Sequence, residues 1–369
     1  MKKIITKAAL TCVALGFSFQ LFAGNKDRTG QAGAAELLIN PWGKSTGVFG
    51  LNTSNVKGID ALKTNIAGLA FVNKNEVGAS YTALLRNSKV GVNNIGFAQK
   101  LGNNVGVLGV NIMAMSYGEI TVTDYNNPEG NGGSYKPQFF NFQLGFAKEF
   151  SRNIYAGIGA TFVTEQISNI KASGAAFEAG IQYVTGKRDN FHFGITLRNI
   201  GTNMRFSGNG FSISAEAPEN EGYELNRLTP AEKFEMPTYL NFGLAYDFYL
   251  DEKHTASPDA QSAEAGKAMP KHRVTPMASF TSNSFNNDYL GLGVEYAFQE
   301  TFMLRAAYRY EKNIGGSISS TTMYTGLSAG ATIQRKIGET GPTLAIDYSY
   351  RPTQRPSNGV HVFSLRLVR

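Results

Sequence analysis

Ser328 lies in Gly326-Leu327-Ser328-Ala329-Gly330, which formally matches the G-x-S-x-G nucleophile elbow. That elbow needs a sharp strand-to-helix turn with an acid and a histidine following it, whereas Ser328 falls inside an alternating apolar and polar stretch. No catalytic residue is assigned on it, and the chain does not read as an enzyme. The four histidines, His192, His254, His272 and His361, are scattered without the H-E-x-x-H spacing that binds zinc. The one cysteine, Cys12, lies in the first 23 residues, so neither a disulfide nor a cysteine metal centre is expected after their removal. No metal and no cofactor are implied. Charges within the alternating stretches carry more information. A tight turn centred on Glu300 sets Glu295 directly across from Arg305, with both on the same face as Arg309. Asp247, Asp347 and Arg366 fall on the corresponding face of their own stretches.

The elements that carry these charges alternate with period two. Over 238–250, Thr238, Leu240, Phe242, Leu244, Tyr246, Phe248 and Leu250 take one face, while Tyr239, Asn241, Gly243, Ala245, Asp247 and Tyr249 take the other. The same pattern predicts fourteen strands, at 76–86, 91–101, 104–116, 138–150, 153–164, 172–186, 190–200, 237–250, 272–284, 288–299, 301–311, 321–336, 342–351 and 359–369. Residues 1–23 read as a secretory signal: Lys2, Lys3 and Lys7 precede an apolar run, and Ala23 is a small residue suited to cleavage. No later run of about 18 apolar residues could form a membrane helix. Export together with repeated amphipathic strands predicts an all-β fold, a transmembrane antiparallel barrel in the cell outer membrane. A soluble secreted sandwich is the competing architecture. An arginine aimed at lipid near the midplane would cost about 2–4 kcal/mol, so the six charges are placed in the lumen. There they form either an ion or substrate path or, as we favour, a polar network that holds a plug.

Bacterial barrels have short periplasmic turns and longer external loops. The segments at 101–104, 151–153, 186–190, 299–301 and 337–341 fit the first kind; those at 116–137, 201–236 and 311–321 fit the second, and 116–137 and 201–236 are long enough to bind a partner. The polar connection at 251–271 is long but should lie on the inner side, which implies either a miscounted strand or a periplasmic extension. Residues 24–75 do not read as a strand; they are expected to be a hatch in or under the lumen, or else an extended tail. The resulting division is 1–23 signal peptide, 24–75 hatch and 76–369 barrel. The 41 glycines suit a crowded lumen in which side chains do not fit. Tyr249, Phe298, Tyr310 and Phe363 are candidates for aromatic girdles, Tyr249 being the odd one because its alternation points inward. The formal charge of +7 falls to +4 without the three lysines of 1–23, a segment with no acid, and no basic stripe suggests nucleic acid.

Asn65-Ile66-Ala67-Gly68-Leu69-Ala70-Phe71, followed by Glu76-Val77-Gly78-Ala79-Ser80-Tyr81, resembles the PorV/PorQ family of Bacteroidetes outer-membrane proteins, relatives of the FadL-type channels. Further matches are Phe234-Glu235-Met236-Pro237-Thr238-Tyr239-Leu240, the pairing of Gly293-Val294-Glu295-Tyr296 with Leu304-Arg305-Ala306-Ala307-Tyr308, and the terminal His361-Val362-Phe363-Ser364-Leu365. Ile66 stands where the family usually has proline, and Val362 where it often has arginine. The resemblance implies a fourteen-stranded FadL-like barrel with an N-terminal segment in the lumen, and makes Asn65, Ala67, Gly68 and Leu69 a hatch motif. It also implies work in type IX secretion or the associated gliding and surface-attachment apparatus. The partners would be membrane lipid, the translocon or other secretion and motility proteins, and cargo signal domains, met through loops and rim. The alternative is a FadL-like, hatch-gated transporter of a hydrophobic solute.

Overall fold

A computed structural model describes residues 24, 26–102, 105–130, 132–216, 224–250, 271–315, 320–338, 341–354 and 358–369. The expected signal segment lies outside them. The barrel strands are β1 (Asn75–Leu85), β2 (Val90–Gly102), β3 (Gly106–Ser116), β4 (Gln138–Ser151), β5 (Ile154–Ile167), β6 (Ile170–Thr185), β7 (Phe191–Gly201), β8 (Tyr239–Tyr246), β9 (His272–Asn283), β10 (Tyr289–Phe298), β11 (Phe302–Glu311), β12 (Leu327–Lys336), β13 (Thr343–Arg351) and β14 (Val360–Val368). Each pairs antiparallel with its sequence neighbour, and β1 pairs with β14, so the sheet closes with no free edge. The fold is thus the all-β, fourteen-stranded antiparallel barrel that alternation predicts. Outward residues such as Ile95, Leu144, Leu244, Ile346 and Leu365 are exposed, with no second sheet over them, which removes the sandwich. They form an apolar belt of the kind that faces hydrocarbon.

Observed strand limits differ from the expected ones in instructive places. β5 and β6 run on to a tight turn with Ser168 in the left-handed region, longer than the alternation suggested. β12 begins at Leu327 rather than 321, because the chain before it is tied to the outer rim by a bridge between Tyr324 and Thr353. β8 breaks at Asp247, and a short continuation, Phe248–Tyr249, pairs with β9. Tyr249 lies opposite the inward Arg273, so it faces the lumen and is not a girdle residue. Phe298, Tyr310 and Phe363 do face outward. The strand count removes miscounting as the explanation of 251–271. Leu250 and Lys271 are both held at the short-turn end, where the Leu250 amide donates to His272 O and the Gln299 amide to Lys271 O, 3.0 and 2.7 Å; residues 251–270 lie outside the described residues.

Inward positions are unusually often glycine, and space explains several of them. A Cβ on Gly96 would lie 2.8 Å from Cζ2 of Trp42, and one on Gly145 2.6 Å from Cδ2 of Leu62. A Cβ on Gly180 would collide with the Asn65 amide, and one on Gly291 with Leu51. At these four positions the wall is thinned where the segment before β1 touches it.

Candidate functional site

That segment threads the barrel from end to end. At the long-loop mouth, the Gly33 amide donates to Glu235 O (3.0 Å), Ala32 bridges Glu235, and Arg28 pairs with the Glu235 carboxylate. Residues 42–72 then descend through the lumen in short helical turns, and the chain enters β1 at the opposite, short-turn end. Trp42, Val56, Ile59, Leu62, Ile66, Leu69 and Val72 are buried in one cluster with Ala98, Val107 and Ala147 of the wall. An extended tail outside the barrel is thereby overturned for residues 32–72.

Polar groups fasten the segment where apolar ones do not. The Gly43 amide donates to Ser364 Oγ (2.7 Å), Thr46 Oγ1 lies 2.6 Å from Ser349 Oγ, and Ser328 Oγ donates to Gly47 O (3.2 Å). The serine of the apparent nucleophile elbow is therefore a strand residue bonded to backbone. Gln143 donates to Leu62 O (2.5 Å) and Gln182 to Val56 O (3.0 Å). Asn65 Oδ1 accepts from the Ala67 amide, opening the turn Ile66–Phe71, while its Nδ2 donates to Thr53 O (2.9 Å) and Ile181 O (3.1 Å). Gly68 is required because a Cβ there would strike Val56 O, and Leu69 is fully buried. The four residues of the motif thus lock the segment against itself and against β6.

Below this constriction runs a belt of alternating charge. His192 (β7) lies 3.0 Å from Asp247 Oδ2; Arg273 (β9) reaches Asp247 at 3.4 Å, Glu295 (β10) at 2.8 Å and Glu300 at 2.6 Å. Arg305 (β11) pairs with Glu295 and donates to Thr332 Oγ1 (2.6 Å), which donates to Asp347 Oδ1 (2.5 Å). Arg366 (β14) grips Asp347 at 2.8 and 3.0 Å and reaches Glu76 (β1) at 3.5 Å; Glu76 in turn accepts the Ile59 amide (3.1 Å). The chain of contacts spans β7 to β1 and ends on the threaded segment. Low dielectric would make any unpaired member costly, and here each carboxylate has a cation or donor.

Glu295 lies opposite Arg305 as the register predicts, and Asp247, Asp347 and Arg366 join the same belt. Arg309 does not. It lies nearer the outer mouth, 3.4 Å from Glu311, with its guanidinium over Phe49 (4.4 Å) and Tyr289 (4.6 Å). Two strand positions along β11 separate each inward residue from the next, so Arg305 and Arg309 serve different levels. Sequence reading missed Arg273, Thr332, His192 and Glu76 as belt members. Arg273 shares the inward face with Thr275 and Met277, so its alternation was readable, but its three acidic partners come from 247, 295 and 300 and need the folded register.

Two chambers flank the constriction. The inner one, about 280 Å3, is lined by the belt together with Lys44, Lys57 and Phe71. The outer one, about 220 Å3, is lined by Leu37, Ile39, Phe49, Tyr289, Tyr324, Arg309 and Arg351, among others. Beside it, Glu36 is buried; loss of water, then the neighbouring Glu165 charge, pushes its carboxyl up to about 8. Among the described residues no group of three or more His, Cys, Asp or Glu side chains is arranged to hold a metal ion.

No family model matches the chain, and no curated protein matches it. Among solved structures it is similar to the CymD monoaromatic hydrocarbon channel, with a TM-score of 0.53 at 11% identity over 90% of this chain and 98% of that one. It is also similar to the toluene transporter TodX of P. putida, with a TM-score of 0.52 at 14% identity over 89% of this chain and 97% of that one. At such identities the likeness is one of fold: this chain has the barrel architecture of hydrocarbon channels.

Proposed function

We propose that the chain is an outer-membrane barrel that passes a small, largely apolar solute through a lumen gated by its own N-terminal segment. The observation that carries this reading is the pair of chambers separated by residues 42–66. A wall bonded to that segment by side chains, and thinned by glycine along its path, suits a hatch that can shift. The likeness in fold to a toluene transporter and a hydrocarbon channel supports the solute class. The belt serves as the hatch's anchor. Cysteines at Thr46 and Ser349, whose hydroxyls lie 2.6 Å apart, test the reading in a background where Cys12 is replaced by serine. Proteoliposomes of this variant should take up toluene when reduced and stop when oxidised; equal uptake in both states would exclude hatch gating.

A second reading, a PorV/PorQ-like component of type IX secretion, rests on the motif at Asn65–Leu69 and on what stands at the outer rim. There a hairpin of Ser212–Glu216 with Glu224–Leu228 exposes Ile213 (56%) and Leu228 (70%), a surface suited to protein contact. Copurification with a large translocon or with cargo signal domains from mild detergent, lost on replacing Ile213 and Leu228 by serine, would favour it over transport.

A further inference from the structure

At the short-turn end, on the seam where the first and last strands meet, three cations share one open hollow outside the threaded lumen. Lys74 leads into β1, Lys100 lies near the end of β2 and Arg369 follows β14; with Asn75 and Gln99 they line a space of about 340 Å3. Backbone bonds set the three beside one another, since the Lys74 amide donates to Arg369 O (3.0 Å) and the Lys100 amide to Lys74 O (2.8 Å). Among the described residues no ion pair reaches any of the three, and no Asp or Glu side chain lines the hollow. Glu76, the nearest acid along the chain, is turned inward to Arg366 (3.5 Å) and the Ile59 amide. Elsewhere on this rim cations have acids next to them, as Lys148 has Glu149 and Arg188 has Asp189. Asn75 pairs across from Gln99, and two residues further on Val77 lies between Phe97 and Leu367. Val77, Phe97, Leu367 and the neighbouring Leu101 are all exposed on the outward face. A cationic hollow thus opens about 7 Å, one two-residue step, from the apolar belt.

We infer that the seam hollow binds the headgroup of an anionic glycerophospholipid, its phosphodiester held by Lys74, Lys100 and Arg369 and its acyl chains lying along Val77, Phe97 and Leu367. Lysine and arginine offer N–H donors and no acceptor, so they complement a phosphate and repel the ammonium of a zwitterionic headgroup. The space corresponds to about eleven water volumes, room for a phosphate with its glycerol. Short turns face the periplasm in bacterial barrels, which puts the site at the phosphates of the periplasmic leaflet. The apolar row beside the hollow favours a lipid over a free anion, because only a lipid uses both surfaces. One bound headgroup joins β14 to β1 and β2 and so spans the closing seam of the barrel. The inference goes beyond both readings of function, since the site lies outside the lumen and away from the outer rim.

The test is native mass spectrometry of the full chain released from mild detergent and titrated with dioleoyl phosphatidylglycerol, dioleoyl phosphatidylethanolamine or dioleoylglycerol, which lacks the phosphate. Phosphatidylglycerol should form a saturable one-to-one adduct, about fivefold or more tighter than phosphatidylethanolamine, with dioleoylglycerol weakest. Lys74→Ser and Lys100→Ser should each weaken the adduct about fivefold, with melting unchanged because neither side chain is in an ion pair. Lys100→Arg should retain it. Lys187→Ser combined with Arg188→Ser, on the turn between β6 and β7, should leave it unaltered, which a diffuse attraction to the basic rim would not. Phe97→Ser should weaken the lipid adduct by removing part of the acyl contact. Equal affinity for phosphatidylglycerol and dioleoylglycerol, no loss in the Lys74 and Lys100 variants, or an equal loss in the Lys187 and Arg188 variant would overturn the site. Inorganic phosphate and hexa-aspartate should fail to displace the lipid; displacement by the first would make the hollow a site for a free anion, and by the second a docking place for an acidic protein, and either result would overturn the lipid assignment.

Discussion

The inner belt and the outer chamber use the same residue types to opposite ends. In the belt, Arg273, Arg305 and Arg366 each meet carboxylates at 2.8 Å or closer, and the network terminates on the backbone of the threaded segment at Ile59. In the outer chamber, Arg309 and Arg351 lie on aromatic rings, and among the described residues only Arg309 pairs with an acid, Glu311. A fully compensated network holds one geometry, whereas an uncompensated one keeps donors unbonded. The difference lies in which neighbours the fold supplies, since all five arginines point inward from strands.

Four perturbations break or sharpen that contrast. The largest effect is expected from Arg366→Met, which strands Asp347 and Glu76 together. It should cost about 3–5 kcal/mol in denaturant unfolding of the lipid-reconstituted barrel, as removal of one partner of a buried pair does. Gly96→Val comes next, because the new side chain must displace Trp42. Overpacking of this kind costs about 1–3 kcal/mol, and limited proteolysis should cut within 42–66 faster. A smaller, pH-dependent effect concerns the upper end of the threaded segment. Glu36, with its carboxyl raised from the ordinary 4.5 to about 8, binds a proton in the folded state that the unfolded chain has already released. Its docking is therefore strongest below pH 4.5 and weakens as pH rises to about 8. Hydrogen exchange at residues 34–39 should accelerate across that window, and Glu36→Gln should flatten the profile. Smallest of all is Arg351→Met, expected to change unfolding by less than about 1 kcal/mol in either direction, since it strands no acid. Equal damage from Arg366→Met and Arg351→Met would erase the distinction between the two regions.

Much of this architecture was legible before folding, and the reason is the strictness of period two. Once one face touches hydrocarbon, every strand must alternate, so Phe140, Phe142 and Leu144 against Asn141, Gln143 and Gly145 already state the wall's two sides. Glu295 opposite Arg305 followed from a turn centred on Glu300, because a hairpin fixes its own register. What stayed hidden needed contacts between distant segments. The 26–72 path was readable only as something other than a strand, since its apolar residues at 42, 56, 59, 62, 66 and 69 have no wall to face until the barrel closes. Inward glycines such as Gly96 and Gly145 become informative once Trp42 and Leu62 are seen opposite them. Arg351 shares the period-two face of Asp347 and Ser349, so its inward side is readable, but its lack of an acid is a property of the surrounding strands. Tyr249 is inward by its own alternation, and the break at Asp247 leaves that face unchanged; only its place near a strand end suggested a girdle.

The most direct test is the steady ion conductance of the intact chain in a planar lipid bilayer. The account predicts that each inserted barrel adds no stable current, because its own residues 42–66 fill the lumen between the two chambers. A sustained, porin-like step of current with every insertion of the unmodified chain would contradict it.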